Sequence, residues 1–321
     1  MYDGFLTDVD GIKVGHGQNE RAGTGLSLAI FEEGFSCGVD VRGSAPGTRE
    51  TDLLKAENLV DKVHGIVLAG GSAYGLDAAS GLMKFLGENN IGMDVTVCKV
   101  PIVVSAVIFD LSVGDPFVRP DLQMAYDAAK NASFKDSSLG NIGGGCGASV
   151  GKILGNDFAM KSGLGQSSLK INDLVVSSMV ILNAFGDIFD YEKGKQIAGV
   201  YDRKNKKFLS TLSLYEKANS DYNAFNRATN TTISLVATNA DLTKASCNKV
   251  SQMAHDGYAR SINPVHTMFD GDTIFTAASG KVKADISLVG MMAAKSISRS
   301  IANAIYASKS SYGLYAHEDI K

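Results

Sequence analysis

Two hydrophobic rhythms run along the chain. The apolar, β-rich runs LSLAIF (26–31), FSCGVDV (35–41) and GIVLA (65–69) read as strands, the last stopping abruptly at Gly70-Gly71-Ser72. After that glycine pair, Ala73, Leu76, Ala79, Leu82, Met83 and Leu86 fall at three- and four-residue spacings. A strand therefore runs through a glycine turn into an amphipathic helix. The run KVPIVVSAVIFDL (99–111) predicts another buried strand, Pro120-Asp121 opens a helix to about Ala132, and NIGGGCGASVGK (141–152) is a loop. Further strands are predicted at 167–172, 174–184, 196–202, 231–240 and 272–278, with Asp241 capping a helix that runs to about Tyr258.

The longest helical pattern is 284–307, where Ile286, Val289, Met291, Met292, Ala294, Ile297, Ile301 and Ile305 cover more than half of the circumference. Such a helix is either central to the core or partly at a subunit contact. Helices and strands mix without strict βαβ alternation, and no repeat or linker interrupts them. A single layered α/β domain over 1–321 follows.

Composition narrows the function classes. The 321 residues carry 31 Lys and Arg against 34 Asp and Glu, a net charge of −3, so no basic field is present to hold nucleic acid or an anionic membrane. Glycine is unusually frequent, 35 residues beside only 5 prolines, which implies many tight turns and close backbone approaches. Cys37, Cys98, Cys146 and Cys247 form no CxxC pair, so neither a zinc site nor a redox dithiol is signalled and buried free thiols are expected. The acidic N-terminus lacks a signal-peptide pattern and no apolar run reaches membrane-span length, so a cytoplasmic, soluble protein is expected.

Three segments carry candidate chemistry. In Arg227-Ala228-Thr229-Asn230-Thr231-Thr232, a polar loop feeds a buried strand, placing Thr231 where a side chain or a new N-terminus faces a pocket; the alternative is an ordinary turn. Asp270 and Asp272 stand one residue apart before a strand, either as a negative site for an amine or as caps of a polar turn. The glycine loop ending in Gly151-Lys152 fails the phosphate-loop pattern, because Cys146 occupies the first glycine position and Ile153 the magnesium-ligand position. The five histidines form no close metal-ligand pair, and each is read as structural.

Taken in order, DVDGIKVGH (8–16), GGSAYGLDAA (70–79), IFDLSVGDP (108–116), GGGCGASVGK (143–152), NAFGD (183–187), NTTISLVATNA (230–240) and ARSINPVHTMFDGDTIF (259–275) resemble the P1/DmpA peptidase family of S58-type N-terminal-nucleophile hydrolases. The resemblance implies a four-layer αββα sandwich of the DmpA/ornithine acetyltransferase-like type, autoprocessed at Asn230-Thr231 into chains 1–230 and 231–321. It implies Thr231 as nucleophile, Asn183 as oxyanion donor, Lys152 beside the nucleophile, with Lys161 as a rival for that place, and Asp270 with Asp272 orienting the freed amine. Thr at 231 and the two aspartates look closest to the nylon-oligomer hydrolase branch. The implied enzyme is a cofactor-free amide hydrolase acting on small peptide or amino-amide substrates, without metal and assembled as a homotetramer of processed units. The alternatives are an ornithine acetyltransferase-like acyltransferase and a non-catalytic binding protein on the same fold.

Overall fold

The computed structural model describes residues 1–217 and 230–320. Of the polar loop singled out above, residues 227–229 lie outside the described residues. Among the described residues one mixed sheet holds nine strands: β1 (Lys13–Asn19), β2 (Thr24–Val41), β3 (Thr48–Arg49), β4 (Lys62–Ala69), β5 (Val103–Val107), β6 (Leu164–Ile171), β7 (Leu174–Ile181), β8 (Ile233–Ala240) and β9 (Thr273–Val282). Their order is β6-β7-β8-β9-β2-β4-β5-β3, with β1 beside β2. The helices are α1 (Ala78–Glu88), α2 (Leu122–Lys130), α3 (Thr211–Lys217), α4 (Lys244–Ser261) and α5 (Ile286–Tyr306).

The two runs at 26–31 and 35–41 belong to the single strand β2, whose register against β4 shifts between Ile30 and Phe35. Its first part pairs with β1 and its last part with β9, so one strand links two halves of the sheet. Alternation of side chains across the pleat then divides the apolar residues into separate clusters. One joins β2, β4 and β5 to α1 and α2, through Leu28, Val67, Leu82 and Ala128. Another joins β7, β8 and β9 to α4 and α5, through Val180, Val236, Ile274, Val250 and Ile297. Between these, Phe31, Ile66 and Val104 meet Ile181, Leu235 and Phe275, with no α-helix contributing. Burial of this kind contributes roughly 25 cal/mol for each Å² of apolar surface removed from water.

Several boundaries differ from expectation for identifiable reasons. The strand expected over 99–111 is paired with β4 only at 103–107, because Phe109 and Asp110 leave the sheet to serve contacts described below. Helix α4 is capped by Thr243, whose side chain accepts from the Ser246 N–H, whereas the N–H of Asp241 is held by Val282 O at 2.7 Å in continuation of the sheet. The glycine turn at 70–71 leads first into a 3-10 segment, Ser72–Asp77, before α1 begins. The run 196–202 is divided between two small sheets, and β1, in which every residue but Val14 is glycine or polar, has no apolar periodicity to announce it. The helix expected to open at Pro120-Asp121 begins at Leu122, where Asp121 is the cap, accepting the N–H of Met124 at 2.8 Å, and Pro120 precedes the helix instead of lying in its first turn. Cys37, Cys146 and Cys247 are buried free thiols, but Cys98 is exposed. Helix α5 is mostly core, with Met291 and Ile286 left on the surface. Among the described residues no helix is long and apolar enough to cross a membrane.

Candidate active site

Three chain segments converge because of how β8 is flanked. Strand β7 runs antiparallel to it, with Ile181 opposite Ile233, and β9 runs parallel to it, with Thr273 opposite Ile233. The residues just after β7, just before β8 and just before β9 must therefore meet at one edge of the sheet. These are Asn183, Asn230-Thr231 and the 270–272 acid turn. Thr231 lies two residues ahead of β8 instead of at its first position.

Thr231 is buried, and its N–H donates to the Asn183 carbonyl at 3.1 Å. Its hydroxyl donates to the carbonyl oxygen of the preceding residue, Asn230. That same carbonyl accepts the Gly271 N–H at 3.0 Å, while the Asn230 N–H donates to Phe269 O at 2.9 Å. A Cβ on Gly271 would stand 2.7 Å from Thr231 Oγ1 and 2.6 Å from Ala45 O, so only glycine allows this approach. The peptide bond before Thr231 is thus held by backbone on one side and faced by a hydroxyl on the other. A cavity of about 140 Å³ borders it, lined by residues 45–47, 72–73 and 107–109 and by Asn230 and Thr231.

Asn183 is fully buried and links the remaining groups. Its Oδ1 accepts Lys152 Nζ at 2.7 Å and the Ser149 N–H at 3.2 Å, and its Nδ2 donates to Phe109 O at 2.9 Å. Lys152 Nζ also reaches the Asn183 carbonyl at 3.3 Å, the same atom that receives the Thr231 N–H. Loss of water around this enclosed ammonium pulls its pKa down to about 7, against the opposite pull of Asp270 and Asp110. Lys161, its rival in sequence, is equally desolvated, with a pKa also near 7, but its ammonium is tied to the carbonyls of Gly145, Ala148 and Ser162. Lys152 therefore belongs to the Thr231 cluster, and Lys161 ties a glycine loop.

The acid turn both shapes backbone and presents charge. Asp272 accepts the Thr232 N–H at 2.8 Å with Oδ1, and its Oδ2 faces His266 Nδ1 at 2.8 Å. Asp270 Oδ2 accepts the N–H and hydroxyl of Thr267 at 2.8 and 2.6 Å. Burial, and then repulsion from Asp272, raise the Asp270 carboxyl to about 6. The turn is stitched to the 42–45 loop, where Arg42 and Ala45 donate backbone N–H groups to Asp272 O and Asp270 O. Asp110, also buried, accepts Thr24 Oγ1 and the Gly71 N–H at 2.7 Å each, which fixes the glycine turn next to the cavity wall. Burial raises its pKa as well.

Two participants escaped sequence reasoning. His266, read as structural with the other histidines, is in direct contact with Asp272 and has a left-handed backbone at φ 56°. Gly271 sits between the two aspartates and supplies an N–H that no side-chain pattern announces; its identity as glycine was the available signal. Among the described residues no group of His, Cys, Asp and Glu side chains is placed to hold a metal ion.

The sequence profile of Peptidase family S58 matches residues 5–318. An uncharacterized aminopeptidase of Mycobacterium leprae is 40% identical over 296 residues, covering 87% of this chain and 79% of its own. A 6-aminohexanoate-oligomer endohydrolase of a Kocuria species is 30% identical over 276 residues, covering 86% and 75%. Among solved structures, the L-aminopeptidase D-Ala-esterase/amidase of Ochrobactrum anthropi, a variant of the Ntn hydrolase fold, superposes with a TM-score of 0.71 at 17% identity, over 98% of this chain and 91% of its own. A Burkholderia β-aminopeptidase gives 0.70 at 18% identity, over 98% and 92%. The fold is shared with both.

Proposed function

Since the chain belongs to peptidase family S58 and is an amide-bond hydrolase with an Ntn-type fold, we propose that it matures by cutting itself at Asn230-Thr231 and then works through Thr231. The observation that carries this reading is the Thr231 hydroxyl directed at the Asn230 carbonyl, whose oxygen is already held by the Gly271 N–H. Attack of Oγ on that carbon forms an ester as the C–N bond breaks, and the hydroxyl proton ends on the departing Thr231 nitrogen. Water then opens the ester, leaving a carboxylate on Asn230 and restoring the Thr231 hydroxyl beside a free α-amine.

Before the cut the Thr231 nitrogen is an amide and not basic, so a neutral Lys152, with its pKa near 7, takes and returns the proton. After the cut the freed amine, with an ordinary pKa of roughly 7.7–8.0, is the base carried by the nucleophile itself. External amides then pass through the same ester. Gly271 N–H and the second amide proton of Asn183 stabilise the oxyanion, a contribution on the order of 10²- to 10³-fold for one donor. Asp270 and Asp272 orient the ammonium of the cut enzyme.

The separate apolar clusters on the two sides of the sheet support an αββα layering. In the homotetramer of cut units that the family resemblance implies, the exposed Met291 and Ile286 of α5 are offered as part of a subunit contact. Intact mass and N-terminal sequencing test the central claim: chains of 230 and 91 residues, the smaller beginning TTISLV, are expected. Any other new N-terminus removes Thr231 from the nucleophile position.

A further inference from the structure

The uncut chain holds its own first substrate, and the way it is held bears on which external amides fit. Asn230 pairs with Asp270 as a one-residue parallel β-bridge: its N–H goes to Phe269 O at 2.9 Å and its carbonyl takes the Gly271 N–H at 3.0 Å. The Asn230 side chain is buried, yet neither its Oδ1 nor its Nδ2 has a hydrogen-bond partner among the described residues. The residue is therefore recognised through its backbone and not through its amide side chain. Among the described residues, the wall beside it, from Pro46 and Ala73 to Val107 and Ile108, carries no charge and borders a cavity of about 140 Å³.

We propose that Phe269 O and Gly271 N–H form the acyl-residue clamp of the enzyme and that this clamp selects α-aminoacyl amides with small, uncharged side chains. The inference rests on the Thr231 reading, because the ester formed in self-cleavage is the same ester through which external substrate passes, with its acyl residue in the place of Asn230. A parallel β-bridge requires one tetrahedral carbon between nitrogen and carbonyl. An α-amine or α-amide nitrogen meets Phe269 O while its carbonyl meets Gly271. One extra methylene displaces the nitrogen by about 1.5 Å, which breaks one of the two bonds or moves the carbonyl away from Thr231. In a 6-aminohexanoyl group the nitrogen lies far beyond Phe269, and only the carbonyl bond remains.

The test uses the cut enzyme, verified by mass as two chains, with three p-nitroanilides sharing one leaving group: L-alanine, its constitutional isomer β-alanine, and 6-aminohexanoic acid. The α isomer is expected to have the highest kcat/KM, about tenfold above the β isomer for one lost hydrogen bond, with the 6-amino compound no better than the β isomer. Equal or faster turnover of either longer acyl group overturns the clamp, as does a cut enzyme that leaves the α isomer intact. A chain that never cuts at Thr231 is a different failure: it removes the nucleophile, and the clamp falls with it.

Discussion

Ser27, His16 and Asp136 form a hydroxyl–imidazole–carboxylate chain with contacts of 2.8 and 3.2 Å, and by residue type they look more like a hydrolase site than Thr231 does. Ser27 and His16 face each other across the β1–β2 register. The Ser27 hydroxyl also accepts the Gly144 N–H at 3.2 Å, and a Cβ on Gly143 would lie 2.3 Å from it. Ser27 has no exposed surface, so no carbonyl can reach it. Asp136 is likewise occupied, by His16, Ser138 and Gln166. At Thr231 the hydroxyl instead touches a carbonyl, a cavity lies beside it, and several nearby polar atoms lack partners. On the proposed reading, reactivity depends on access and on what the hydroxyl faces, more than on a Ser-His-Asp inventory.

The sharpest way to break this contrast is a pair of alanine substitutions. Thr231→Ala should leave a single uncut chain with activity reduced by at least about 10⁴-fold, since the nucleophile of both reactions is gone. Thr231→Ser should retain some cutting. Ser27→Ala should cut normally and keep its activity, losing the hydrogen bonds to His16 and from the Gly144 N–H, together worth about 2 kcal/mol of stability. Intact mass and p-nitroaniline release read both. An uncut but folded Ser27→Ala would exchange the roles assigned to the two clusters.

A second pair separates Lys152 from Lys161, which sequence spacing left as rivals. Lys152→Met should lower kcat/KM and the rate of self-cleavage by roughly 10²-fold with little change in urea unfolding. Lys161→Met leaves three buried carbonyls without their donor and should destabilise the fold by an amount on the order of 3 kcal/mol, with activity preserved in the folded fraction. Full activity in Lys152→Met would move that lysine out of the mechanism.

How far this was legible in sequence depends on the kind of signal each residue leaves. Long elements with a period, such as α5 and β8, could be read directly, because burial of a face imposes spacing. The ends of elements were less legible: Thr243 and Asp241 are both competent caps, and the choice was made by a sheet contact to Val282, distant in sequence. Thr231, Asp270 and Lys152 stood out locally only as candidates with ordinary alternatives, and their expected roles, with that of Asn183, came from the ordered motif set, since nothing in their local patterns states that β7, β8 and β9 end together. Gly271 and His266 join the cluster through a backbone N–H and through an aspartate, and neither contact has a residue-type signature.

The smallest effect concerns the carboxylates of the two clusters, whose pKa values are shifted in opposite directions. Asp270 is raised to about 6 by burial and by Asp272, so between the unfolded value near 4 and about 6 the folded state holds the extra proton. Its ionisation opposes folding, and that cost grows as pH rises from about 4 to above 6. Asp136 is lowered to about 2: burial pushes it up, but His16, Ser138 and Gln166 outweigh this. Its stabilising contribution is complete above about pH 4 and is lost as pH falls towards 2. In the uncut Thr231→Ala background, Asp270→Asn should therefore be slightly more stable than its parent at pH 7, on the order of 1 kcal/mol or less, with the difference vanishing near pH 4. Asp136→Asn should be slightly less stable at pH 7, and its deficit should shrink below pH 4. In cut enzyme the order reverses for rate: Asp270→Asn should lower kcat/KM and move its alkaline-rising limb to lower pH, because the charge that holds the nearby amines protonated is gone, whereas Asp136→Asn should leave the profile unchanged. Thermal melts across pH 3–8, read by circular dichroism, together with the two rate profiles give four signs. An Asp270→Asn variant that lost stability at pH 7 while keeping its rate would make the acid turn a structural cap and return Asp270 to the same class as Asp136.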